Sequence, residues 1–172
     1  AINETEGDWN SQSLKEAYNL DPLMYVWITL VYILEYMIIT GFIDWLNLFQ
    51  KEEQKTDFFH KQMFEICQFL YQTGVLISRG SLEFLKLKVT GWVTIGQAII
   101  CSVFLMFCLA WKDVSIWLVF PLTFGCGILG GWGYLWSMYW LMDNKSVLTK
   151  NKEVLANMLC LLGDTGALIA TL

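Results

Sequence analysis

From Pro22 onward the charged residues gather in short clusters, and the stretches between them are almost wholly apolar. Such a pattern leaves few options. At 1.5 Å per residue a helix needs about 20 residues to cross the hydrocarbon core of a bilayer. Five runs approach that length, at 22–49, 62–78, 89–111, 114–142 and 153–172. No alternation of the kind a half-buried strand requires competes with them. Only 16% of the 172 residues are charged, against about a quarter in soluble domains. Nine Trp and seven Tyr, many near the ends of the runs, suit anchors at headgroup depth. The chain is predicted to be all-α: a polytopic helical membrane bundle, residues 1–172 forming one unit against the lipid bilayer.

Asp21-Pro22 opens the first run as N-cap and first helical residue. The second run is the least apolar, carrying Glu65, Gln68 and Gln72. Cations set the expected orientation. Lys15, Arg79, Lys86, Lys88, Lys145, Lys150 and Lys152 fall on one side, and Lys51, Lys55, Lys61 and Lys112 on the other. The richer side, with the N-terminal end, is expected in the cytosol. The sequons Asn3-Glu4-Thr5 and Asn144-Lys145-Ser146 lie on that side and would carry no glycan. The chain opens at Ala1 without a signal peptide, and its last run stops at Leu172 before it is comfortably long enough to span. It reads as the C-terminal part of a longer protein.

Several functions are disfavoured. A net charge of −5 does not suit a nucleic-acid partner. Cys67, Cys101, Cys108, Cys126 and Cys160 all lie in apolar runs without a CxxC pair, so they are read as packing residues, with no metal site. His60, the only histidine, lies in a charged loop. No nucleophile triad or phosphate loop is visible, so neither an enzyme nor a cofactor is expected.

Polar residues inside the runs carry what remains. Tyr25, Thr29, Tyr32, Tyr36 and Thr40 share a stripe of the first helix, and Glu35 flanks it in the middle of "LVYILEYMIITGF". An ionisable residue at lipid depth is a functional candidate by default. Two readings stand: Glu35 handles substrate or protons with Tyr32, Tyr36 and Gln72, or it is a carboxyl bonded to a neighbouring helix. Asp164 in "LLGDTGALIA" is the second intramembrane acid, with small neighbours that admit a backbone, a ligand or water. The two acids could share a site or act separately. In "GCGILGGWGY", Gly127, Gly130 and Gly131 point to close helix packing, with a flexing helix as the sharper alternative. Glu153 is read as a first-turn carboxylate at the start of the last helix.

Four segments together resemble the battenin family: "LVYILEYMIITGF", "FLYQTGVLISRGSLEFLK", "GILGGWGY" and "CLLGDTG". Their order and spacing match the C-terminal half of that family over nearly the whole chain, with Glu35, Arg79 and Asp164 on its motif positions. Gly80 departs from a Ser usual there, and the loop 51–61 has its own sequence. Battenins are similar to major-facilitator-type transporters, with two helical bundles around a central path. The resemblance implies a multi-pass protein of the lysosomal or endosomal membrane, linked to solute efflux, pH, basic amino acids or glycerophosphodiesters, its substrate unknown. It implies a missing N-terminal helical half as partner. It also implies a cytosolic gate at Arg79 and Ser81, where the residues alone indicate a positive-inside anchor. A non-transporting structural subunit of a larger membrane complex is the alternative.

Overall fold

The computed structural model describes residues 22–48, 58–81, 90–110, 114–143 and 149–172. Among these residues every regular element is a helix. The first rod is α1 (Pro22–Tyr36), a π-helical segment (Met37–Phe42) and α2 (Ile43–Leu48). A single turn, α3 (Phe58–Lys61), precedes α4 (Met63–Gly80). Then follow α5 (Thr90–Ala110), α6 (Ile116–Asp143) and α7 (Thr149–Thr171). By length and composition, Leu23–Leu48, Gly91–Leu109, Ile116–Asp143 and Lys152–Thr171 can each cross a membrane. The 18-residue α4, with its Glu and Gln residues, is not among them. Helix α7 begins at Thr149, one turn before Glu153. Asp21 and the loop cations other than Lys61, Arg79, Lys150 and Lys152 lie outside the described residues, as do the sequons.

Small residues decide how the rods pack. Helices α4 and α6 run parallel, because Tyr71 and Gly74 meet Gly127 while Ser78 meets Gly131. A Cβ on Gly127 would strike the Tyr71 carbonyl, and one on Gly74 would come within 2.5 Å of Phe124 O. The pair is therefore a Gly-xxx-Ser face on a Gly-xxx-Gly face, backbone against backbone. Helix α5 lies antiparallel to α6, pairing Gly96 with Leu129 and Val93 with Gly133. Gly163 and Gly166 of α7 pack on Tyr32 and the Thr29 carbonyl of α1, and these two helices run parallel, with Leu159 clustered with Tyr25 and Ile28 while Gly166 reaches Tyr32 and Ile33. Without hydrophobic drive between helices in lipid, such close approach is what dispersion can act on.

Two apolar clusters flank the middle of the bundle. One gathers Ile38, Ile43, Met63, Cys67, Phe104, Phe107, Val119 and Cys126, and the other Met24, Tyr25, Ile28 and Leu159. Glu35 lies between them along the first rod. All five cysteines are free thiols, three of them buried. The outer face of α5 exposes Trp92, Ile95, Ile99, Leu105, Met106 and Leu109, a surface suited to lipid chains.

Candidate functional site

The hydroxyls inside the helices mostly serve their own backbone. Thr29 and Thr40 donate to the carbonyls of Tyr25 and Tyr36, at 2.9 and 2.7 Å, and Thr73, Ser102 and Thr165 do the same four residues back. They need no ligand. The most buried face of the first rod is also not the tyrosine stripe itself: it follows Ile28, Val31, Glu35 and Ile38, with Glu35 only 3% exposed. The stripe lies beside it, and Thr40 faces outward.

The carboxylate of Glu35 rests on α6 where Gly130 has no side chain. A Cβ at position 130 would fall on the carboxyl group itself. The Tyr71 hydroxyl of α4 donates to this carboxylate, and Arg79 acts on it electrostatically. Glu35 Oε1 has no hydrogen-bond partner among the described residues. Beside it lies a cavity of about 180 Å³ lined by Tyr32, Glu35, Tyr36, Tyr71, Gln72, Val75, Arg79, Gly130, Gly131 and Tyr134. That volume admits several water molecules or a small polar group. Tyr32 stacks on Tyr36 with centroids 6.3 Å apart and meets Tyr134 edge-on at 6.5 Å. The Arg79 guanidinium lies over the Tyr134 ring, 5.3 Å from its centroid.

The cavity thus brings together Glu35, Tyr32, Tyr36, Gln72, Arg79, Gly130 and Gly131 from three helices. Gly127 lies one turn further along α6, in the contact with Tyr71. Ser81 ends α4: its hydroxyl donates to Ser78 O at 2.8 Å and accepts from Trp132 Nε1 at 2.9 Å, tying the Arg79 end of α4 to α6. Asp164 is exposed on α7 and is not part of the lining. One turn before it, Cys160 Sγ lies 3.6 Å from the hydroxyl of the lining residue Tyr134.

Two lining tyrosines, Tyr71 and Tyr134, were not singled out from the sequence. In "FLYQTG" and "GWGYLW" they look like interfacial aromatics, and only the register of α4 and α6 turns them inward. The π-helical segment was likewise unseen. It begins one residue after Tyr36, with Ile43 N–H bonded to Ile38 O. Gln68 Nε2 donates to Ile39 O at 3.4 Å and Cys108 Sγ to Phe42 O at 4.0 Å. Neighbouring helices thereby support carbonyls where the regular ladder is interrupted.

Apolar rods with an internally satisfied backbone, enclosing a carboxylate in a small polar cavity, define a multi-pass helical membrane protein with an intramembrane polar site. Residues 2–172 match the family model described as CLN3 protein, and the chain belongs to that family. It is 38% identical over 144 residues to the battenin of Dictyostelium discoideum, covering 83% of this chain and 34% of that protein. It is 33% identical over 109 residues to the battenin of Canis lupus familiaris, covering 63% of this chain and 24% of that one. The chain thus spans about a third or less of the curated relatives it matches. No solved structure matches it.

Proposed function

We propose that the chain is the second helical bundle of a lysosomal or endosomal carrier, and that the Glu35 cavity is part of its solute path. The observation that supports this most is Glu35 itself: 3% exposed, with one oxygen unpartnered among the described residues, beside a polar cavity near the middle of a membrane helix. A carboxylate among four tyrosine rings suits a positively charged amine, held by charge and by the ring faces. Arg79 offers a fork for an acidic group on the same solute. Basic amino acids and phosphodiesters with an amine base both meet that description. In this reading the protein moves a solute and catalyses no reaction, and the missing half supplies the opposing wall for alternating access.

The test is Glu35→Gln in the full-length protein reconstituted in vesicles, which keeps the shape and removes the ionisable group. Flux should lose its pH dependence while abundance stays near normal. Normal pH dependence at reduced abundance would favour the competing reading, a structural subunit in which Glu35 is helix glue. That reading draws on the seating of Glu35 against Gly130.

A further inference from the structure

Two buried side-chain oxygens have no hydrogen-bond partner among the described residues: Glu35 Oε1 and Gln97 Oε1. Gln97 belongs to α5, is 0% exposed, and is not part of the cavity lining. Its amide is oriented by Cys126, with Nε2 donating to the Cys126 carbonyl at 3.0 Å and in contact with the thiol of the same residue. Turning the amide over would set Oε1 against that carbonyl, so the free atom is the acceptor. An amide oxygen left bare in a low-dielectric interior costs about 1–3 kcal/mol, which an apolar residue of similar shape would avoid. The energetics therefore call for a donor at this position.

Both side chains reach one turn of α6, Gln97 through its amide nitrogen and Glu35 through its carboxyl group. The carbonyl that Gln97 grips is the one an α-helix pairs with the N–H of residue 130. Gly130 is the residue against which Glu35 rests. The Cys126 thiol, fully buried, is in hydrogen-bond contact with Gln97 and within electrostatic reach of Glu35. The other ionisable groups that act on Glu35 or line its cavity come from α1 (Tyr32, Tyr36), α4 (Tyr71, Arg79) and α6 (Tyr134). None comes from α5. Gln97 is the group by which α5 reaches this turn.

We propose that Gln97 holds a buried water molecule at the Cys126–Gly130 turn, and that this water links Gln97 Oε1 to Glu35. The water supplies the donor that Oε1 lacks and, through its second hydrogen, a partner for Glu35 Oε1. Gln97 is then a positioning residue that extends the polar path behind the cavity into the α5–α6 interface. The inference rests on the reading of Glu35 as a working acid, and its test separates the two.

The measurement is pH-difference infrared spectroscopy of the full-length protein in lipid. Glu35→Gln should remove one protonated-carboxyl band, which assigns it. If no band disappears, Glu35 does not titrate and the proposed function fails with it. In Gln97→Met the Glu35 band should move to higher frequency, because the carbonyl loses a hydrogen-bonded neighbour, and the water O–H difference signal should vanish. Gln97→Asn, which keeps the amide but withdraws it by one methylene, reads the same band if the Met variant fails to fold. A Glu35 band that is present and unmoved in the variant, with only a lowered Tm, would overturn the Gln97 inference. Gln97 would then be an α5–α6 tie and nothing more.

Discussion

The Glu35 carboxyl fills the volume that a side chain at position 130 would occupy, so glutamate and glycine form one unit. Gly130→Ala should therefore destabilise the bundle by about 1–3 kcal/mol, the usual cost of overpacking. In a Glu35→Ala background the same change should cost much less, with a coupling of roughly 0.5–3 kcal/mol between the two sites. Thermal unfolding of the four combinations in detergent checks this, and purely additive values would refute the seating. Arg79 is a different case. It is an exposed residue, and its guanidinium over the Tyr134 ring is worth only about 0.5–1 kcal/mol as a cation–π contact. Arg79→Lys should leave abundance near normal while lowering flux, because Lys keeps the charge but not the planar fork. Wild-type flux with Lys would reduce Arg79 to an anchor.

Glycines also separate elements that must touch from those that need not. On the α4–α6 contact, a Cβ at Gly127 meets Tyr71 backbone, which has no rotamer to yield. Gly127→Ala is expected to cost about 1–3 kcal/mol and to lower abundance. Gly80, at the end of α4, has nothing within 4 Å of its would-be Cβ. Gly80→Ala should be neutral or stabilising by up to about 1 kcal/mol through helix propensity. Comparing Tm for the two is the check, and equal losses would mean that α4 and α6 are not in backbone contact. The glycine run in "GCGILGGWGY" already signalled close packing. It did not say that Gly127 and Gly131 serve α4 while Gly130 serves a side chain from α1, because one helix presents all three within about one turn.

At the scale of the whole molecule, neighbouring rods pack so that chain direction alternates in step with the order of the helices. Phe58, exposed before α4, and Asp143, exposed at the end of α6, should then lie on opposite sides of the membrane. With cysteines placed singly at the two positions, a membrane-impermeant reagent added from the cytosol should label position 143 and spare position 58. The reverse pattern would invert the orientation inferred from the lysines.

Run length and charge clustering were enough to define a helical membrane bundle, because each span must satisfy its own backbone whatever its neighbours do. The same logic marked Glu35, since a carboxylate at that depth is costly and needs a reason. Register between helices is another matter. It depends on which small residues face each other, and sequence spacing along one helix carries no information about its rotation against the next. Only the tertiary structure turned Tyr71 and Tyr134 towards Glu35, widened the first rod after Tyr36, and left Asp164 outside the cavity lining. It alone set Gln97, an unremarked glutamine in an apolar run, on the same turn of α6 as the acid. Contacts across helices made that neighbourhood, and no single segment encodes them.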